Sequence, residues 1–263
     1  WYLLKKRHQD FALKSIKVGM IVGLSGFVLL AVTGDGSGHE VAQKQPMKLA
    51  AMEGLYQGKE GAGLIAVGML NPAKQAYNDR VDPYLFKMEI PKLLSLLGYR
   101  DANAFVPGIE NIIDGGYTLP DGTVALSFRE RKERGEKAIQ ALADYKTATA
   151  EGRRGDDAAQ HKRILDENYA HFGYGYLESE ADLVPDVPLT FYTFHLMVII
   201  GCYFILFFLI VWYFVHKKKM HTERWLQYVA LWSIPLAYIA GQCGWAVAEM
   251  GRQPWTIQDV LPV

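Results

Sequence analysis

Residues 225–250, WLQYVALWSIPLAYIAGQCGWAVAEM, followed by Gly251-Arg252-Gln253-Pro254-Trp255, decide the fold class of this chain. The run is long and apolar enough to cross a bilayer as a helix, and it closes on a carboxylic acid, Glu249. An ionisable group costs ~2.5–3.5 kcal/mol at the bilayer centre and less near an interface, so it is read first as functional. On a helix, Gln242, Trp245, Glu249 and Arg252 share one face. Such a stripe fits a buried polar cofactor or an ion path. It fits equally an Arg–Glu pair anchoring a helix end at the lipid headgroups.

Two further apolar blocks, 16–32 and 189–215, are close to bilayer-spanning length. They explain how a chain with 28 basic and 28 acidic side chains, half of its residues hydrophobic, passes for an ordinary soluble protein in its totals. Lys5, Lys6, Arg7, Lys14 and Lys17 precede or open the first block, and His216-Lys217-Lys218-Lys219 with Arg224 joins the second to the third. The positive-inside rule places both clusters in the cytoplasm. The expected fold is an all-α membrane protein. A cytoplasmic segment at 1–10 leads to spans at 11–33, 189–215 and 225–250, with a cytoplasmic connection at 216–224 and an outer tail at 251–263. The long insert, 34–188, lies outside as a mostly helical or irregular loop. Cys202 and Cys243 each fall inside an apolar block, so they read as packed side chains. The insert has no disulfide framework.

The insert carries Gly34-Asp35-Gly36-Ser37-Gly38-His39-Glu40 and then Gln45-Pro46-Met47-Lys48-Leu49-Ala50-Ala51-Met52-Glu53. Pro46 suits a helix start, predicting a helix from about Met47 to Tyr56. Residues 60–72 are Gly-rich and read as loop. Ser127 to Glu151 has helix-forming composition with Gly135 as an interruption. Lys48 and Glu53, taken alone, are solvated charges. No phosphate loop, dinucleotide fingerprint or zinc spacing is present. Trp1 is not a start methionine and Val263 follows a connection-like segment, so the chain is expected to be a fragment of a larger protein.

Three motifs carry a resemblance: Gly34-Asp35-x-Ser37-Gly38, Gln45-Pro46-x-Lys48-Leu49-Ala50-Ala51-x-Glu53, and Gly244-Trp245-x-Val247-Ala248-Glu249-x-Gly251-Arg252-Gln253-Pro254-Trp255. In order and spacing they resemble subunit I of cytochrome bd-type quinol oxidases, in its C-terminal portion. Ile90-Pro91 and Phe172-Gly173-Tyr174-Gly175 extend the agreement through the insert, which looks like that family's quinol loop in its long form.

The resemblance implies a terminal respiratory oxidase of the bacterial cytoplasmic (inner) membrane. It oxidises ubiquinol or menaquinol at the outer face and reduces O2 to water. It implies low-spin and high-spin haem b and haem d. By motif, Met197 matches an axial ligand of the low-spin haem iron, whose histidine partner lies in the family's N-terminal half. Glu249 matches an axial ligand of a high-spin haem iron, Trp245 an indole between haems, and Arg252 a propionate-binding arginine. Glu249 and Trp245 are thereby the catalytic candidates. Lys48 and Glu53 resemble a pair implicated in quinol oxidation. His195 stands among the cofactor-binding positions where many members carry Arg, which is always charged while His need not be. Gln242 replaces a common carboxylate and Ala237 a common proline, while Pro235, with its expected kink, remains. Implied partners are the N-terminal part of the same subunit, a second oxidase subunit, small accessory subunits and membrane lipid; no nucleic acid is expected. Two other readings stand beside this one: a quinone- or haem-binding electron-transfer module without oxygen chemistry, and a transporter with Glu249 and Arg252 lining a pathway.

Overall fold

The computed structural model of the protein describes residues 1–151 and 156–263. They form two compact units. One comprises Trp1–Gly38 with Tyr192–Ala246; the other comprises His39–Phe191 with Val247–Val263.

The first unit is built from long apolar helices: most of α1 (Gln9–Lys44), most of α7 (Val187–His216), α8 (Arg224–Trp232) and much of α9 (Ile234–Met250). Among the described residues two helices, α1 and α7, are long and apolar enough to cross a membrane. Their outward faces carry large apolar side chains such as Val22, Leu29 and Leu206, which suit hydrocarbon rather than water. Inside the unit, Leu3, Ala12, Met20, Val211, Met220 and Leu226 form a core. A Cβ on Gly23 would lie 2.5 Å from Phe208 Cζ, so the missing side chain lets the Phe208 ring sit against the backbone of α1. Gln227 Nε2 donates to the Met220 and His221 carbonyls at 2.8 and 3.3 Å and ties down the basic connection after α7.

The expected single span at 225–250 is two helices. α8 ends at Trp232 and α9 begins at Ile234, with Ser233 between them. Proline at the second position of α9 supplies no amide proton, so the ladder breaks just upstream of it. Ser233 closes α8 through the Val229 carbonyl, which accepts from both its amide at 2.9 Å and its Oγ at 2.6 Å.

The second unit keeps the expected mostly helical or irregular character but is not purely helical: among the described residues it adds three two-stranded antiparallel sheets, β1–β4, β2–β3 and β5–β6, to its helices. β2 (Leu64–Leu70) pairs with β3 (Tyr84–Ile90) in the register Leu64↔Ile90 to Leu70↔Tyr84, with two irregularities. The stretch read as a Gly-rich loop, 60–72, therefore contains a strand. β1 is Lys59–Glu60 and β4 is Phe105–Val106, while β5 (Trp255–Ile257) and β6 (Leu261–Pro262) turn the tail into a hairpin.

α1 also departs from its expected end at residue 33 by continuing to Lys44. Its 36 residues are about 54 Å long at the helical rise, well beyond the ~30 Å of hydrocarbon. Three glycines between 34 and 38 weaken a helix locally, but packing overrides them. Ala42 is buried with Leu49, Ala62, Leu94 and Val106, His39 Nδ1 lies 2.8 Å from the Gly98 carbonyl, and Tyr99 donates to the Ala42 carbonyl at 3.1 Å.

α2 (Pro46–Met52) starts at Pro46 as predicted and stops short of Tyr56. It lies between two clusters. Met47, Ala50 and Ala51 face a core with Ile65, Ile109, Ile112, Phe128, Tyr174, Phe191 and Trp255, and Leu49 faces the other. α3 (Leu93–Tyr99) and α4 (Ile109–Asp114) complete this wall. α5 (Phe128–Ala150) opens on a reciprocal cap, in which Ser127 Oγ accepts from the Glu130 amide at 3.3 Å and Glu130 Oε2 from the Ser127 amide at 2.8 Å. Gly135 does not interrupt it. A Cβ there would sit 2.5 Å from the His171 carbonyl oxygen and closer still to the Gly175 amide, so glycine is required for the 3₁₀ segment Tyr169–Tyr176 to pack on α5. α6 (Asp156–Asn168) packs beside them.

Candidate functional site

The polar unit contains a cleft of about 450 Å³, with Glu53, Tyr56, Ile65, Lys74, Asp79 and Tyr84 among its lining residues. Glu53 follows α2 directly and is 2% exposed. Its Oε2 accepts from the Ile65 amide of β2 at 3.2 Å. Burial pushes its carboxyl up to about 7, and the single amide contact offsets only part of that rise. The chain then turns at Gly54, whose φ of +56° suits glycine, and a Cβ there would meet Tyr84 Oη at 2.7 Å. Tyr84 shares its hydroxyl proton between the Glu53 and Gly54 carbonyls at 2.6 and 2.8 Å. Burial raises the Tyr84 phenol further, so it stays a donor. On the far wall, Lys74 Nζ pairs with Asp79 Oδ1 at 2.7 Å and lies 4.4 Å from the centre of the Tyr56 ring. The Lys74 hydrogen bond holds Asp79 down at about 2.

A second group gathers Lys48, Glu249 and Arg252. Arg252 Nη2 lies 2.7 Å from Glu249 Oε2. A Cβ on Gly251 would lie 3.1 Å from Lys48 Cγ and 3.3 Å from Lys48 Cε, so the Lys48 chain runs across the Gly251 backbone. Burial lowers the Lys48 ammonium, the Arg252 charge lowers it further, and Glu249 opposes both. Arg252 Nε is buried with no hydrogen-bond partner among the described residues. Two cations share one carboxylate, which leaves a positive charge and a spare donor.

The family resemblance pairs Lys48 with Glu53, and their side chains take different neighbours. Lys48 runs to Gly251 and Glu53 turns to Ile65. The remaining candidates belong to the apolar unit. Met197 and His195 lie two residues apart on α7, roughly 200° around the helix, so they cannot both face one iron. A Cβ on Gly244 would lie 3.1 Å from Met197 Sδ, so α9 offers its bare backbone to the thioether. His195 is buried, and the Trp245 indole is 66% exposed.

Tyr84, Tyr56 and the Lys74–Asp79 pair were missed from sequence. Tyr84 reaches Glu53 only because β3 pairs with β2. The signal available was Tyr84-Leu85-Phe86-Lys87-Met88-Glu89-Ile90, whose aromatic and apolar residues interleaved with charges read as a strand.

A mostly helical chain with helices long and apolar enough to cross a membrane, and a polar unit that holds a buried carboxyl, suits the class of helical membrane proteins. The family described as cytochrome bd terminal oxidase subunit I matches residues 1–263, and the chain belongs to that family. It is 33% identical to the cytochrome bd-II ubiquinol oxidase subunit 1 of Escherichia coli (strain K12) over 263 residues, covering 100% of this chain and 49% of that one. It is 24% identical to the cytochrome bd ubiquinol oxidase subunit 1 of Bacillus subtilis (strain 168), covering 98% of this chain and 42% of that one. The chain thus spans about half the length of the curated relatives it matches. The solved bd oxidase from Geobacillus thermodenitrificans shares the fold, with a TM-score of 0.55 at 21% identity over 100% of this chain and 45% of that one.

Proposed function

We propose that this chain is the quinol-oxidising, haem-binding portion of a respiratory quinol:oxygen oxidoreductase of the bacterial inner membrane. Two quinols each give up two electrons and two protons, and the four electrons with four protons reduce one O2 to two waters. Besides family membership, the observation that carries this reading is Glu53: a buried carboxyl, raised to about 7, lining a cleft of about 450 Å³. A base near neutrality accepts a proton from a phenolic substrate while returning it readily. Tyr84 holds the Glu53 backbone in place, and the Tyr56 ring offers an apolar face for an aromatic head group.

The residues also fit haem. The spare positive charge and unused Nε at Lys48, Glu249 and Arg252 suit a carboxylate, as a propionate is. Met197 would supply a soft thioether to a low-spin haem b, Glu249 a carboxylate to a high-spin haem, and Trp245 and His195 would flank the cofactors. Bound haem b and haem d would supply electron acceptance and oxygen reduction. The topology that suits this reading places 34–188 on the outer side, with α8 and α9 together completing a third crossing. The N-terminal part of the subunit, a second oxidase subunit and small accessory subunits complete the assembly.

The test is Glu53→Gln in the assembled oxidase. The amide cannot take the proton, so quinol oxidation should fall by an order of magnitude or more, on the scale of a lost general base. Oxygen reduction from an artificial electron donor should persist. Unchanged quinol turnover would overturn the role.

A further inference from the structure

The geometry points to the outer face of the β2–β3 hairpin as a lipid-contacting surface, lying against the boundary between head groups and acyl chains on the outer side of the bilayer. The strand register sets Val67 opposite Met88 and Met69 opposite Phe86. Side chains alternate along a strand, so these four and Ile90 share one face, with Leu85 at the irregularity beside them. All six are between 44% and 60% exposed, and none is charged. The charged residues of β3, Lys87 and Glu89, alternate to the other face. There Glu89 pairs with Lys59 at 3.2 Å and with Lys87 at 3.1 Å. An exposed apolar patch on an otherwise polar unit marks a contact with a partner protein or with lipid.

Depth favours lipid. The inner face of the hairpin packs on α7: a Cβ on Gly68 would lie 3.0 Å from Phe191 Cζ, and the Tyr84 and Phe191 rings stand 6.2 Å apart. Phe191 lies in the second turn of α7, a helix long and apolar enough to cross a membrane. The next residue, Tyr192, is 45% exposed, and Trp212, shortly before His216-Lys217-Lys218-Lys219, is 51% exposed. At the helical rise the stretch from Tyr192 to Trp212 covers ~30 Å, the thickness of the hydrocarbon, and Tyr and Trp collect at both of its boundaries. Phe191 therefore stands at one boundary, and the hairpin packed on it stands at the same depth. An uncharged face there, on a helix whose own Leu189 and Leu196 are exposed, suits the head-group boundary. The same hairpin supplies Ile65 and Tyr84 to the cleft that holds Glu53, so it forms the wall between that cleft and the bilayer. The inference rests on α7 crossing the bilayer and on no haem or quinol role.

The test is Met88→Cys carrying a bimane label, in the assembled oxidase with its other reactive thiols replaced, reconstituted in phosphatidylcholine–phosphatidylglycerol vesicles. Met88 is exposed, so the substitution leaves folding intact. A lipid with a nitroxide near the top of its acyl chain should remove most of the emission, and that loss supports the inference whether or not aqueous iodide also reaches the label. No loss with the nitroxide lipid overturns it. Quenching by iodide alone would then mean that the face is open to water, and protection from both that another subunit or the rest of this one covers it. Lys218→Cys checks the crossing separately. In intact spheroplasts a membrane-impermeant maleimide should miss it, and reach it only after lysis. Labelling without lysis would overturn the crossing of α7, and the inference with it. A protected Lys218→Cys with an unquenched Met88→Cys overturns the inference alone, so the two failures are distinct.

Discussion

The hydroxyl of Tyr84 lies 2.6 Å from the backbone carbonyl oxygen of Glu53, across the thirty-one positions that separate them in the chain. That bond, with the 2.8 Å contact to the Gly54 carbonyl, joins the end of α2 to the start of β3 and fixes the point where Glu53 enters the cleft. Tyr84→Phe removes the donor and leaves two carbonyls short of a partner, at a cost of about 1–2 kcal/mol. Thermal unfolding should register the loss. Quinol KM should rise as Glu53 loses its fixed position, and an unaltered KM would show that the bond serves stability alone.

Glu53 also makes stability depend on pH. Its folded value of about 7 stands above the ordinary 4.5, so between those values the folded form keeps a proton that the unfolded chain has lost. The contribution is full below about 4.5 and is lost as pH rises through about 7, a total of ~3 kcal/mol. Glu53→Gln does not titrate. Its melting temperature relative to the unmutated protein should therefore improve between about pH 5 and pH 8. A constant offset across that range would mean that Glu53 is not buried as an acid.

The proposed haem roles of Met197 and Glu249 are separable in the spectrum. Met197→Leu conserves volume and removes the sulfur, so folding should survive while the low-spin signal changes. Glu249→Ala should perturb a high-spin signal and spare the low-spin one. If the low-spin band of a folded Met197→Leu oxidase were unaltered, the thioether assignment would be wrong.

Gly135 tests the packing of the polar unit independently of any cofactor. A methyl group there meets the His171 carbonyl oxygen at 2.5 Å and the Gly175 amide, both backbone atoms that cannot rotate aside. Helix propensity alone favours alanine by about 1 kcal/mol. Gly135→Ala should nevertheless destabilise by about 1–3 kcal/mol, the usual range for overpacking. A raised melting temperature would show that the 3₁₀ segment yields.

Much of this protein was legible in one dimension. Apolar runs of bilayer length, the start of α2 at Pro46 and a helix over about Ser127 to Glu151 follow from local composition, which neighbouring residues settle among themselves. The motifs around Lys48, Glu53 and Glu249 were equally visible. Their arrangement was not. Whether three glycines end α1 was decided by the burial of Ala42, and whether a Gly-rich stretch forms a strand by the pairing of β2 with β3. Lys48 and Glu53, close in sequence and alike in being charged, diverge because α2 is packed between two cores and presents them to different neighbours. Sequence by itself determined the family motifs and the apolar runs of bilayer length, because those are properties of residue type and spacing. Only the tertiary structure decided which of them share a site, because burial, close backbone approach and strand pairing join residues whose separation along the chain leaves no periodic trace.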